Sequence, residues 1–429
     1  MSKMMTLMNE LIELISMGPF GSDIKVDNFI SDGVPVLNGS NVSSIKLTET
    51  SFKYVSPEKA KALKKANAKR GDIVITHRGT VGQISYIPED SKYDNYVISQ
   101  SQFRVSLKRD LVDPIYFTYY FHTDEGQKRL LSFKSHVGVP ALAQATTNFR
   151  LLEFPLIPLN EQQKIAKALS DLDSKIELNN RINTELEAMA KTLYDYWFVQ
   201  FDFPYVTMSA VEKPYKTSGG KMVWNEELKR EIPEGWEVKI VDVLLAKETT
   251  TTKIPSSEIL EKGLIPVIDQ STNYIKGYTN DKTSLITTDK PRILFGDHTR
   301  ILKLINFDFA RGADGTQVLL SKNERMPQHL FFHSLLKIDL SNYGYARHFK
   351  FLKDAKIIIP SKKTATEFEE IVSGFYNKIK SNIFQNIELA SLRDWLLPML
   401  MNGQVSVGDV EEELGMVAEE SVRYEVKKN

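Results

Sequence analysis

The sequence predicts an α+β protein in which two homologous globular domains alternate with two long helices, the helices packed on each other as an antiparallel coiled coil with pseudo-twofold symmetry. Three observations predict it. One ten-position stripe of apolar and amide residues occurs twice, 203 residues apart. The stretches ahead of the two copies share short matching motifs. Within those stretches the apolar runs are brief, β-branched and bounded by glycine, which favours curled sheet over a helix bundle.

The first stripe is Ile165, Leu169, Leu172, Ile176, Asn179, Asn183, Leu186, Ala190, Leu193 and Trp197; the second is Phe368, Val372, Phe375, Ile379, Asn382, Asn386, Leu389, Arg393, Leu396 and Leu400. A sustained period of about 3.5 residues supercoils helices around a partner and keeps the stripe facing it. Each stripe alone would expose a long apolar face, so the two copies are natural partners, antiparallel because a whole domain separates them in sequence. Asparagines return at the same two positions of each stripe. A seam asparagine fixes register, because only one alignment pairs its amide. Two unrelated helices on separate domains give no reason for that coincidence.

The repeat extends upstream with a drifting offset, as domains with different loop lengths require. Phe149-Arg150-Leu151-Leu152 and Pro155-Leu156-Ile157-Pro158 precede the first stripe; Phe349-Lys350-Phe351-Leu352 and Ile357-Ile358-Ile359-Pro360 precede the second. Asp113-Pro114-Ile115-Tyr116-Phe117 parallels Met326-Pro327-Gln328-His329-Leu330, and Val34-Pro35-Val36-Leu37-Asn38 parallels Ile265-Pro266-Val267-Ile268-Asp269. Runs such as Ile73-Val74-Ile75-Thr76 and Ile293-Leu294-Phe295 read as strands. The expected organisation is a first domain at 1–158, a first helix at 159–200, a connector at 201–231, a second domain at 232–360, a second helix at 361–403 and an acidic tail at 404–429. Proline and glycine punctuation in Lys216-Thr217-Ser218-Gly219-Gly220 and Ile232-Pro233-Glu234-Gly235-Trp236 marks the connector and the fresh start.

Composition sets further limits. A chain of 429 residues, 42% hydrophobic and 10% aromatic, can bury cores in two or three domains. No apolar run approaches the roughly 18 residues of a membrane span, and Glu10 and Glu13 interrupt the place of a signal peptide, so a cytoplasmic location and no membrane partner are expected. The absence of cysteine and the scatter of seven histidines leave no disulfide and no metal site to expect. A net charge of zero argues against a uniformly basic nucleic-acid binder, so any such surface must be local. Lys53, Lys59, Lys61, Lys64, Lys65, Lys69 and Arg70 face one acid, Glu58, while Asp409, Glu411, Glu412, Glu413, Glu419, Glu420 and Glu425 oppose only Arg423, Lys427 and Lys428. Taken singly, each run is explained by a solvated face or a chain end.

With this arrangement in hand, the chain resembles the specificity subunit of type I restriction-modification systems over nearly its whole length. The residues that carry the resemblance are Gly18-Pro19-Phe20-Gly21-Ser22, Arg70-Gly71-Asp72-Ile73 followed by Arg78-Gly79-Thr80-Val81-Gly82, Pro158-Leu159-Asn160-Glu161-Gln162-Gln163-Lys164-Ile165, and Ile232-Pro233-Glu234-Gly235-Trp236. Any one of them is weak; together they are specific. The resemblance implies two target-recognition domains, each reading one half of a bipartite asymmetric site in double-stranded DNA, with the paired helices as a ruler. It also implies two modification (methyltransferase) subunits clasping the helices and restriction (motor-nuclease) subunits joining for cleavage. S-adenosylmethionine, ATP and magnesium then belong to those partners, and no cofactor to this chain. Helix length suits a ruler: about 34 residues span roughly 50 Å, or about 15 base pairs, so altering the helix should alter the spacer. In one place the sequence departs from the pattern. The second helix opens on Ser361-Lys362-Lys363-Thr364-Ala365-Thr366-Glu367 where the first has Asn160-Glu161-Gln162-Gln163, which weakens the case for an equal partner contact there.

Base readout needs paired donors and acceptors on loops that can enter a groove. In the first domain the candidates are Ser22, Lys25, Asn38, Asn41, His77, Arg78, Thr80, Ser99, Gln100, Gln102, Gln144 and Asn148. In the second they are Gln270, Asn273, Tyr274, His298, Arg300, Arg311, Thr316, Gln317, Tyr345 and Arg347. The same residue types serve ordinary turns. Arg78-Gly79-Thr80 and Arg311-Gly312-Ala313-Asp314-Gly315-Thr316 stand out, because an arginine beside glycine can approach a duplex closely.

Catalytic alternatives lack their residues. An adenine methyltransferase needs an Asn-Pro-Pro or Asp-Pro-Pro loop, and no Pro-Pro pair occurs. There is no cysteine nucleophile and no phosphate-binding Gly-x-x-x-x-Gly-Lys-Ser/Thr loop. Glu237-Val238-Lys239 fits the carboxylate-x-lysine of metal-dependent nucleases, but no second acidic ligand stands at strand spacing. The expectation is a non-catalytic DNA-recognition subunit. The competing reading is a scaffold or inhibitor that binds modification subunits through the coiled coil without reading DNA. A reader would protect DNA with a steep salt dependence, whereas a scaffold would bind protein alone.

Overall fold

The computed structural model describes residues 3–135, 140–206, 212–247, 251–312, 315–342, 344 and 347–408. They fall into two compact units, one drawn from 1–175 and 388–429, the other from 176–387. Each long helix contributes to both: Leu159–Tyr194 gives its start to the first unit and its end to the second, and Lys362–Asn402 the reverse. Among the described residues, no helix is long and apolar enough to cross a membrane.

In the first unit a four-stranded antiparallel sheet runs Ile12–Met17, Gln102–Leu107, Ile73–Thr76 and Ile84–Tyr86 in spatial order. A second sheet runs Phe29–Ile30, Lys53–Val55, Val34–Val36, Asn95–Val97 and Asn67–Lys69, with Val36 and Val97 paired in parallel. All four residues of Ile73–Thr76 are buried, which explains its continuous apolar run. Side chains alternate across a strand. Ile73 and Ile75 therefore join the core of Phe103, Phe117 and Phe154, while Val74 joins that of Leu37, Val55 and Val97.

The second unit repeats this plan. Arg292–Gly296 lies between Leu302–Ile305 and Thr316–Leu319, and Val267 of Ile265–Ile268 pairs in parallel with Ala310 of Phe309–Arg311. Again one strand serves two cores: Ile293 and Phe295 enter one, Leu294 the other. A closing antiparallel pair recurs as well, Met4–Leu7 with Glu153–Leu156 and Glu237–Ile240 with Lys356–Ile359. Motifs that match in sequence thus occupy matching elements. The Glu237-Val238-Lys239 triplet lies on one of these closing strands, where Glu237 is held by Arg325 at 2.5 Å and by Lys239 at 3.1 Å. Those cations hold its carboxyl below the usual range.

Both units also carry a short buried helix, Pro114–Phe121 and Gln328–Leu336, but they satisfy its N-terminus differently. Asp113 caps the first, its Oδ1 accepting from the amides of Ile115 and Tyr116 at 2.9 Å. Pro327 cannot cap the second, so Glu369 reaches in from the long helix and accepts from the amides of His329 and Leu330. The long helix supplies what the local sequence lacks. A similar tie holds the other long helix to the first unit: buried Gln162 accepts from the amide of Asp113 at 3.0 Å and donates to the carbonyls of Leu111 and Ile157. That amide of the Asn160–Gln163 motif is turned inward. At the matching place in the second helix, Ser361 caps the amide of Thr364 at 3.1 Å.

All twenty stripe residues are buried or half-buried. In the first unit Ile165 and Leu169 share a core with Leu396 and Leu400, and Leu172 packs against it. Seam Arg393 is accommodated by Asp173 at 2.6 Å, whose other oxygen accepts from the hydroxyl of Tyr119. In the second unit Ala190, Trp197, Phe368, Val372 and Ile379 share a core, with Leu186, Leu193 and Phe375 against it. There the asparagines meet: Asn179 Nδ2 donates to Gln385 Oε1 and Asn386 Oδ1, Asn386 Nδ2 donates to Asn180 Oδ1, and Asn382 Nδ2 donates to Asn183 Oδ1, each at 2.8 Å. Partner numbers fall as residue numbers rise, so the helices run antiparallel. Among the described residues of the connector, 201–206 and 212–231, several pack on the second unit. Arg230–Pro233 pairs with Met222–Asn225, and Phe203 stacks on Tyr215 and Trp236 at 4.6 and 5.0 Å, folding this stretch onto the second unit. Of the acidic tail, residues 409–429 lie outside the described residues.

Two predictions follow from this packing. Asn179 is buried and its amide joins two acceptors, so Asn179→Ala should cost about 1–3 kcal/mol, read as a lower denaturant midpoint. His333 is also buried, 3.2 Å from the hydroxyl of Tyr376, and burial aided by nearby His329 pushes its pKa down to about 4 from 6.5. The unfolded state therefore takes up a proton that the folded state refuses, and stability should fall by up to about 3 kcal/mol as pH drops from about 6.5 to about 4. His333→Gln should flatten that slope in melting curves.

Candidate nucleic-acid interface

Most of the candidate readers of the first unit converge on loops at the ends of three strands. Parallel pairing brings the loops after Val34–Val36 and Asn95–Val97 to the same side, and the hairpin after Ile73–Thr76 reaches the second of them. Gln102 ties the first two, its Oε1 accepting from the amide of Ser99 at 2.9 Å and its Nε2 donating to the carbonyl of Asn38 at 3.1 Å. His77 ties the hairpin to the second loop, its amide donating to Ser101 O at 2.8 Å and its Nε2 lying 3.2 Å from Gln100 O. Burial holds the His77 pKa below its ordinary value, so the ring is neutral at pH 7 and Nε2–H donates. A fourth segment joins through the amide of Leu142 on His77 O at 2.8 Å. It leads to Gln144, at φ 42°, and to Asn148, whose Nδ2 donates to Ala143 O.

Arg78 stands exposed on the hairpin, and Gly79 beside it has φ 84° with open space where a side chain would point. Only glycine takes that conformation without cost, and its bareness leaves room for a backbone to approach. Thr80 and Gln100 are exposed too. Ser22 is exposed on the neighbouring Gly18–Ser22 loop, whose Gly18 amide donates to Gln102 O at 2.8 Å. Lys25 is exposed on a separate turn closed by Asn28.

The second unit places its candidates on the corresponding loops. Gln270 accepts from the amide of His298 at 3.3 Å through Oε1, and from the hydroxyl of Thr299 at 3.0 Å through its carbonyl. Arg300, at φ 62°, is exposed and donates to Leu340 O at 3.2 Å. Half-buried Arg311 donates to Thr251 O at 3.2 Å, and Gln317 is half-buried on its strand. Arg347 is exposed, while Tyr345, Ala313 and Asp314 lie outside the described residues.

Several expectations need correcting. Asn41 and Gln102 are fully buried and committed to the backbone: Asn41 Nδ2 donates to the carbonyls of Thr48 and Thr50 at 2.8 Å. Thr316 is buried with its hydroxyl on Gly312 O at 2.6 Å. Tyr274 turns its hydroxyl inward to Leu304 O, and burial pushes its pKa up. These side chains frame the loops, because a buried polar group must find a partner and the loop carbonyls supply it. Asn273 is exposed, but its carbonyl accepts from Lys303. Sequence reasoning missed Lys303 itself. It is buried, donates to Asp269 O at 2.8 Å, and is pushed down to about 8 by burial. Its place between Leu302 and Leu304 in a short apolar strand was the available signal.

Loops of this kind, rich in donors and acceptors and repeated on two like domains that each pack a long helix, define a paired-domain recognition protein. The profile of the type I restriction modification DNA specificity domain matches residues 24–188 and again 233–389, and the chain belongs to that family; specificity toward DNA is its role. It is 27% identical over 366 residues to the type I restriction enzyme MjaIX specificity subunit of Methanocaldococcus jannaschii, covering 80% of this chain and 79% of that one. It is 23% identical over 404 residues to the HindI specificity subunit of Haemophilus influenzae, covering 79% and 87%. The crystal structure of a type I restriction-modification S subunit from M. genitalium shares its fold, with a TM-score of 0.57 at 16% identity over 93% of this chain and 96% of that chain.

Exposed and buried candidates should separate on substitution. Arg78→Ala should leave melting unchanged and weaken discrimination at one base of the first half-site by about 1–3 kcal/mol. Gln102→Ala should lower the melting temperature of the chain, by removing an amide that joins two loops.

Proposed function

We propose that this chain is the non-catalytic recognition subunit of a type I restriction-modification complex working in the cytoplasm. Each domain reads one half of a bipartite asymmetric site in double-stranded DNA, and the long helices set the gap and dock two modification subunits. Catalysis is borrowed: S-adenosylmethionine belongs to the modification subunits, ATP and magnesium to restriction subunits that join them. The observation that carries this reading is that the two domains present corresponding loops with different side chains. Asn38 answers to Asp269, and the hairpin of His77, Arg78 and Thr80 answers to that of His298 and Arg300. The same frame with different donors and acceptors suits two unlike half-sites. Phosphate contacts from nearby lysines add affinity without sequence information.

The test is co-expression with the modification subunit encoded beside it, followed by single-molecule mapping of methylated adenines. A split, non-palindromic motif with a fixed gap is the expected outcome. A stable complex that methylates nothing would overturn the reading.

A further inference from the structure

Among the described residues, Phe20 is the most exposed aromatic, at 82%; the next, Trp224, is at 57%. Placing a phenyl ring in water is unfavourable, and a loose loop would fold it away, yet this loop is held. The Phe20 amide donates to Asp23 Oδ2 at 3.0 Å and the Asp23 amide to Phe20 O at 2.8 Å, closing a tight turn. Behind it the backbone of Gly18 lies so close to the loop after Asn95–Val97 that a Cβ would sit 1.9 Å from Ser99 O. The ring is therefore presented from a rigid base shared with the readers Ser99 and Gln100.

What surrounds the ring says what it meets. Phe20 lines an open cleft of about 980 Å³ with Met17, Lys64, Lys65, Arg78 and Gln100. Its one acid, Asp23, is occupied by the Phe20 amide. Ile15, Met17, Pro19 and Leu63 also line the cleft, so its wall joins apolar surface to two lysines and an arginine; a nucleic acid serves both, offering phosphates to the cations and base faces to the apolar side chains. An apolar side chain amid cations is the composition of a wedge that enters between stacked base pairs while its neighbours hold the backbone.

Resting on the DNA-reading function above, we infer that Phe20 is a wedge residue: it inserts at a base step of the half-site read by the first domain and stacks on the base it exposes. Specificity then comes partly from the cost of opening that step, which is least at flexible pyrimidine–purine steps.

The experiment uses the complex with its modification subunits and a duplex carrying the mapped motif, with 2-aminopurine scanned through the first half-site at positions other than the methylated adenine. The wild-type complex should brighten the probe at one step. Phe20→Ala should abolish that brightening and weaken specific binding roughly 5- to 150-fold, with Phe20→Trp restoring both and the second half-site still protected. Because Phe20 is so exposed, melting should not change. Wild-type brightness and affinity in Phe20→Ala would overturn the wedge while leaving DNA reading intact. A wild-type complex that protects no duplex would overturn both.

Discussion

Everything in this protein hangs on two amphipathic helices that cannot stand alone in water. Their stripes are buried against each other and against the domain cores, and the amide cluster of Asn179, Asn386, Asn180 and Gln385, with Asn183 and Asn382 beside it, admits one register. Leucine at those positions would tolerate a slip by a heptad; hydrogen-bonded amides do not, since a slip would bury them without partners.

The helices are also part of the domains they join. Ile165 and Leu169 lie in the same core as Phe103 and Phe154, and Phe368 and Val372 in the same core as Ile293 and Phe295. Gln162 and Glu369 complete hydrogen bonding that the domains leave open. Burial and hydrogen bonding thus bind the core of each domain to a long helix.

Within each unit, polar side chains divide between framing and presenting. Asn41, Gln102 and Thr316 spend their hydrogen bonds on loop carbonyls and hold the loops in shape, while Arg78, Thr80, Gln100, His298 and Arg300 are exposed. The frame can stay constant while the presented residues change, because the strands under the loops are fixed by two cores at once. That is why two domains of one ancestry can share an architecture and still carry different donors and acceptors.

The heptad period, the repeated asparagines and the matching motifs were enough to read the two-domain, two-helix order, because burial periodicity is written locally in residue type. The loops holding the candidate readers were legible too, since Asn, Gln, Ser and Arg beside glycine punctuate strand ends. Which of those residues face solvent was not legible. Asn38 and Asn41 look alike in sequence, and only the placement of the Thr48 and Thr50 carbonyls turns one inward. Nor could spacing reveal that Glu369 caps a helix about 40 residues away, or that Lys303 is buried among carbonyls. Periodicity reports the face a residue takes along its own element; hydrogen-bond partners come from distant segments, so their choice belongs to the tertiary structure.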